Sequence, residues 1–243
     1  LAETIKHENL ALLNIEEAIL SNPDKVACII IEPIQAEGGD NHFRDEFLVS
    51  LRNICDENEI LLIFDEVQTG MGLTGKMWAY ENLTAKPDII SFGKKAQVCG
   101  VLANKEKFDE IPNNVFKESS RINSTFGGNF IDILRFQLIM EVIEKENLVE
   151  NARIVGEYLV EGLQILAQKY PEKLSNPRGR GLMAAIDLPN GDQRDKMREL
   201  LYDEGVIILS CGDQSIRFRP HLNVSKEEIQ IALDKIELCI EKL

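Results

Sequence analysis

Two short apolar runs, residues 61–64 (LLIF) and 89–92 (IISF), constrain this chain most. Each is rich in β-branched or aromatic residues and stops abruptly at polar ones, the pattern of buried parallel strands. Asp65 and Gln68 follow the first run; Gly93 and Lys94 follow the second. Ligands of open α/β sheets bind outside the carboxyl ends of the strands. An acid and an amine are thus expected at one crevice. That pair suits a cofactor held covalently through lysine, with its ring nitrogen held by aspartate.

With 243 residues, 44% of them hydrophobic, the chain can bury one large core or two smaller ones. The formal net charge is −14 and no Lys/Arg stripe forms, which argues against nucleic acid and anionic membrane as partners. Cys28, Cys55, Cys99, Cys211 and Cys239 are scattered without CxxC spacing, so neither a disulfide nor a zinc framework is expected and a reducing cytoplasm fits. Cys28 and Cys99 lie in apolar runs and read as core fillers. No apolar run approaches the roughly 20 residues of a membrane helix, and no signal peptide is apparent.

Residues 8–21 carry Leu10, Leu13, Ile15, Ala18 and Ile19 at helical spacing. Residues 26–31 read as a buried strand closed by Glu32-Pro33. After a glycine-rich acidic loop, residues 43–58 read as a helix with Phe47, Leu51 and Ile54 on one face, and the first apolar run completes a βαβ unit. Residues 70–76 (GMGLTGK) read as a flexible loop, 77–83 as a short helix and 98–103 as a strand returning against the sheet. Helices follow at 130–145 and 148–169. Beyond residue 180, GLMAAIDL, VIIL and SIRFRP read as strands, and 194–203 and 225–243 as amphipathic helices. Ser225 and Glu228 have the spacing of a capping box. Two domains are expected, at 1–146 and 147–243.

The motifs EPIQAEGGDNH, IFDEVQTGMGLTGKMWAYE, PDIISFGKK and SIRFRP resemble those of class III aminotransferases. FGKKAQVCG, RINSTFGGN and PRGRGLM bring the likeness closest to the L-lysine 6-aminotransferases of that family, with 4-aminobutyrate aminotransferases next. The resemblance implies an α/β fold of the aspartate-aminotransferase type (fold type I). It would comprise part of a large parallel-rich domain and a small C-terminal α+β domain, with an N-terminal part absent, since relatives are nearly twice as long. It implies pyridoxal 5′-phosphate as cofactor, L-lysine and 2-oxoglutarate as substrates, and a cytoplasmic homodimer with shared active sites. A fragment that folds and associates without binding coenzyme is the reading from another class.

The resemblance also assigns roles. Lys94 would form the Schiff base and then move the proton, its free amine made available by burial; Lys95, adjacent and equally basic, is its rival. Asp65 would pair with the ring nitrogen, Val67 would press on the ring face and Gln68 would bind the ring hydroxyl. Without the resemblance, Asp65 reads as a turn cap or as a Walker B acid, but the chain lacks an upstream GxxxxGK[ST] loop. Ser124 and Thr125, read as a helix start, would bind the coenzyme phosphate of the partner subunit; a plain N-cap is the alternative. Arg217 would grip the α-carboxylate of 2-oxoglutarate, while Arg219 is expected to face away. Glu37 would pair with Arg217 while the amino donor is bound and swing aside for 2-oxoglutarate, with Gly38 and Gly39 giving the loop its freedom. Glu37, Asp40 and His42 as metal ligands form a weak pattern, and no metal site is assigned.

Overall fold

A computed structural model describes residues 1–122 and 124–243; Asn123 lies outside the described residues. The chain opens with α1 (Ala2–Leu20), then β1 (Cys28–Ile31) and a hairpin of β2 (Ile34–Gln35) and β3 (Asn41–His42). Next come α2 (Asp45–Glu57), β4 (Leu61–Asp65), β5 (Ile89–Phe92), β6 (Gly100–Ala103) and a short α3 (Lys105–Asp109). Helices α4 (Phe130–Lys145) and α5 (Leu148–Lys169) lead to β7 (Ser175–Arg180), β8 (Met183–Asp187), α6 (Gly191–Asp203), β9 (Leu209–Cys211), β10 (Ser215–Phe218) and α7 (Lys226–Glu241).

The first sheet has the order β1-β4-β5-β6. β1, β4 and β5 are parallel, which makes β1–α2–β4 the expected βαβ unit, and β6 returns antiparallel. Helix α2 covers one face, burying Phe47, Leu48, Leu51, Ile54 and Cys55. Phe47, Leu48, Leu51 and Cys55 pack against Leu62, Phe64 and Ile90. The opposite face is only half covered, so alternate residues differ in burial along β4 and β5. The expectation of fully buried strands fails most clearly at β1, where Ile30 is 61% exposed. Cys28 and Cys99 are exposed rather than core fillers. In α1, Ala11, Leu12, Ile15 and Ile19 turn inward, whereas Leu10 and Leu13 face outward.

The second sheet is antiparallel, in the order β7-β8-β10-β9. Every residue of β8 and β10 is buried. Helix α5 contributes Ala152, Val155, Leu159, Leu163 and Leu166, spaced three and four apart, to the core over these strands. Helix α7 starts at the Ser225–Glu228 capping box, its side chains meeting the amides reciprocally at 3.1 and 2.8 Å.

Of residues 70–76, read from the sequence as a flexible loop, 70–75 are buried and only Lys76 is exposed. Leu73 is fully enclosed within the core beneath the second sheet, beside Leu182 and Val155. There helix and turn meet closely: a Cβ on Gly156 would lie 2.0 Å from the carbonyl carbon of Gly181. Gly181 itself has φ +57°. The turn joins α5 only because both positions lack a side chain. The short helix expected at 77–83 is a single 3₁₀ turn, Ala79–Asn82.

Candidate active site

The parallel pairing of β4 and β5 sets Asp65 opposite Ser91. Asp65 Oδ1 accepts from Ser91 Oγ at 3.0 Å and from the Val67 amide at 3.0 Å. Both contacts fix the carboxylate at the carboxyl end of β4. The next residue, Glu66, is buried and turns the other way. It accepts from Thr69 Oγ1 at 2.9 Å and from the amides of Ala79 and Tyr80 at 2.7 and 2.8 Å. Burial raises the Glu66 pKa, against the three donors. This carboxylate pins the loop that presents Val67 and Gln68.

Gly93 follows β5 and packs against the same loop: a Cβ there would lie 3.2 Å from Cys99 Sγ and 3.7 Å from a Val67 methyl. Lys94 comes next with φ +47°, a left-handed backbone that a side-chain-bearing residue adopts at a cost. Lys94 is exposed, so burial does not act on it as the sequence reading expected. The amine that burial lowers is Lys95, to about 8, helped by the charges of Arg219 and Lys94. Lys95 Nζ donates to the Gln68 carbonyl at 2.8 Å, a second tie between the ends of β4 and β5.

The third component comes from the second sheet. Arg217 on β10 is 8% exposed, and its Nη2 donates to Glu37 Oε1 at 2.7 Å. Arg217 Nε and Nη1 are buried and have no hydrogen-bond partner among the described residues. The Glu37 side chain is 70% exposed. Its carboxyl sits below the usual range because of the Arg217 hydrogen bond and charge, with further help from Lys94 and Arg219. Lys94, Glu37 and Arg217 thus share one electrostatic neighbourhood beside the β4 and β5 ends.

Arg219 does not face away. Its Nη2 donates to Asp40, so both arginines reach the loop that bears Glu37. Residues two apart in a strand share a face, and β10 ends at Phe218, so the expected alternation does not apply. Glu37 and Asp40 each turn to an arginine rather than to one another.

Ser124 and Thr125 are not brought to this crevice. They lie in an exposed turn, Ser124 O accepting from the Gly127 amide at 3.1 Å. Helix α4 starts five residues later, capped by Asn129, whose Oδ1 accepts from the Ile131 amide at 2.9 Å. The sequence reading attached no role to Ser91 or Lys95 beyond rivalry with Lys94. A lone serine inside IISF, one strand over from Asp65, is the signal that would have found the first.

The chain matches Aminotransferase class-III over residues 2–240. It is 50% identical over 230 residues to the L-lysine-epsilon aminotransferase of Mycobacterium tuberculosis, covering 95% of this chain and 51% of that protein. It is 40% identical over 238 residues to the 4-aminobutyrate aminotransferase of Dictyostelium discoideum, covering 97% of this chain and 47% of that protein. The solved lysine aminotransferase from M. tuberculosis in the internal aldimine form superposes with a TM-score of 0.93 at 48% identity. That superposition covers 97% of this chain and 54% of the solved one. The chain therefore spans about half the length of the curated relatives it matches. Its fold is that of the fold type I transaminases. A family match running almost end to end, on a frame that sets an acid and an amine at adjoining strand ends, makes this chain a member of the class III aminotransferases.

Proposed function

We propose that the chain serves an L-lysine 6-aminotransferase. Its reaction moves the terminal amino group of lysine to 2-oxoglutarate, giving 2-aminoadipate 6-semialdehyde and glutamate. The greater likeness to the lysine relative than to the 4-aminobutyrate relative supports this choice of donor.

One observation carries the reading: a buried arginine whose only side-chain partner among the described residues is an exposed carboxylate. Arg217 has two further buried nitrogens without partners among the described residues. A substrate carboxylate entering there would take a bidentate grip that Glu37 now fills with one bond. Glu37 in place suits lysine reacting through its terminal amine, which brings no carboxylate to Arg217. Glu37 turned outward suits 2-oxoglutarate and glutamate. The site thereby accepts two unlike substrates in turn.

Membership of the family implies pyridoxal 5′-phosphate, and the residues fit it. Asp65, held in place by Ser91 and Val67, is set to keep a proton on the ring nitrogen. At Gly93 a Cβ would crowd Cys99 Sγ at 3.2 Å and touch a Val67 methyl at 3.7 Å, so the glycine lets the end of β5 pack on the loop from which Val67 would press on the ring face. When bound, the cofactor supplies an aldehyde that captures a primary amine and a ring that takes up electrons from the adjoining carbon. Lys94 Nζ removes the proton from the terminal carbon of the donor and returns one for the acceptor half of the cycle. Gln68 orients the ring through its hydroxyl, and Lys95 keeps Gln68 in place through its carbonyl.

Ser124 and Thr125 serve the phosphate of a second subunit in this reading. Their turn is exposed beside Phe126, Phe130 and Ile131, at 83%, 87% and 74% exposure, an apolar surface suited to another copy. The reading also places a domain boundary near residue 146, where Asn147 turns left-handed between α4 and α5, and a cytoplasmic location, which the unpaired cysteines favour.

The test is a Glu37→Ala variant offered lysine and glutamate as donors. We expect the ratio of their single-turnover rates to fall at least tenfold in favour of glutamate, because Arg217 then stands uncovered. An unchanged ratio would sink the switch.

A further inference from the structure

We propose that Asp40, Arg178 and Arg219 clamp the backbone beneath Glu37, so that Glu37 covers or uncovers Arg217 by side-chain rotation alone. Asp40 is then a positioning residue that sharpens discrimination between terminal-amine donors and dicarboxylates. The inference rests on the reading of Glu37 as the alternating cover of Arg217.

The sequence reading gave this loop freedom through Gly38 and Gly39; the hydrogen bonds say otherwise. Every carbonyl from Ala36 to Asp40 is occupied. Ala36 O accepts from the amides of Gly39 and Asp40 at 3.3 and 3.0 Å, and Glu37 O accepts from the Gly212 amide at 2.9 Å. Gly38 O accepts from Asn41 Nδ2 at 3.1 Å. The Gly39 and Asp40 carbonyls both accept from the Arg178 guanidinium. A backbone with all its acceptors engaged opens only at the cost of several bonds at once.

The two arginines tie this loop to the second sheet. Arg178 stands on β7, with Nη1 on Asp187 Oδ1 at 2.7 Å and Nη2 on Ser215 Oγ at 2.9 Å. Arg219 holds the Asp40 side chain. Asp40 is fully buried and has φ +49°, a strained backbone that these contacts must hold. Gly212 also presses on the loop: a Cβ there would lie 2.9 Å from Gly39 Cα. Glycine in this pair serves close approach, not motion. Against that fixed frame, the Glu37 side chain is 70% exposed and its carboxylate is tied only to Arg217 among the described residues. A fixed Cα limits Glu37 to a few rotamers, one of which meets Arg217. A loosened loop would let the carboxylate drift and leave Arg217 partly uncovered whichever substrate is bound.

Asp40→Ala removes the carboxylate tie, Asp40→Asn keeps its shape, and Gly212→Ala pushes the loop without removing a charge. Each is compared with the parent and with Glu37→Ala in the pyridoxal-phosphate-loaded protein. Two quantities are read: hydrogen–deuterium exchange of the segment 36–42, and the lysine-to-glutamate ratio of single-turnover rates. We expect Asp40→Ala and Gly212→Ala to exchange at least tenfold faster in that segment. Both should shift the ratio at least threefold in the direction of Glu37→Ala, with Asp40→Asn nearer the parent. If Asp40→Ala fails to fold, Gly212→Ala decides both readouts. Rapid exchange in the parent overturns the clamp. So does a ratio within twofold of the parent in the loosened variants while Glu37→Ala moves it. A flat ratio in Glu37→Ala itself instead overturns the switch on which the clamp is built.

Discussion

Asp65 and Ser91, opposite one another on parallel strands, are joined by a hydrogen bond of 3.0 Å that aims the carboxylate along the strand ends. Ser91→Ala leaves Asp65 with the Val67 amide alone. Losing one hydrogen bond to a charged acceptor should weaken pyridoxal-phosphate affinity about fivefold, or ~1 kcal/mol. Fluorescence titration of the cofactor measures it. A change below twofold would remove Ser91 from the site.

Two adjacent lysines compete for one role, and the structure separates them. Lys94 is exposed in a left-handed turn, whereas Lys95 is half-buried with its amine on the Gln68 carbonyl. Borohydride reduction of the cofactor-loaded protein followed by peptide mapping should mark Lys94. Lys94→Ala should abolish the mark; Lys95→Met should keep it while weakening binding through the released Gln68 loop. A mark on Lys95 would reverse the assignment.

His42 gives a pH dependence. Burial, with the charges of Arg180, Arg178 and Arg219, lowers its pKa from 6.5 to about 4. The fold therefore disfavours the imidazolium. The contribution of neutral His42 is present above pH 6.5 and is lost as pH falls through about 4. Unfolding in urea at pH 7 and pH 4 should show the stability difference, parent minus His42→Phe, shrinking by about 3 kcal/mol. The difference between proteins cancels the carboxylates common to both. A constant difference would show that His42 is protonated equally in the folded and unfolded chains.

Gly156 tests the packing of the buried turn. A Cβ at this position would overlap the main chain of Gly181 at 2.0 Å, with no flexible side chain to yield. Gly156→Ala should cost about 3 kcal/mol and lower the melting temperature on the order of 10 °C. Calorimetry measures both. A loss under 1 kcal/mol would mean that helix and turn separate easily.

Features fixed by local chemistry were legible in the sequence. The bounds of α4 and α5, the Ser225–Glu228 capping box and the parallel pairing of LLIF with IISF all follow from short-range pattern. Burial was legible only in part. An apolar run such as CIII looks the same whether one face or both are covered, so the exposure of Cys28 and Ile30 had no local signal. GMGLTGK has the composition of a mobile loop, yet Leu73 is drawn into a core built mainly from residues beyond 150. The grip of Arg178 on Gly39 and Asp40 joins residues almost 140 positions apart, a relation no window of sequence contains. Asp65, Lys94, Glu37 and Arg217 stand out in the sequence because each ends a strand or sits in a long motif. Their supports, Ser91, Glu66 and Asp40, are recognised only once the strands are side by side.

The contact between Gly156 and Gly181 also bears on how this protein can change over generations. Two hydrogens fill the gap where α5 meets the turn, so neither position tolerates drift by one codon step unless the main chain itself shifts. The pair acts as a fixed rivet: variation is steered to the rim of the joint, and a directed-evolution library that randomises either glycine spends its diversity on destabilised chains.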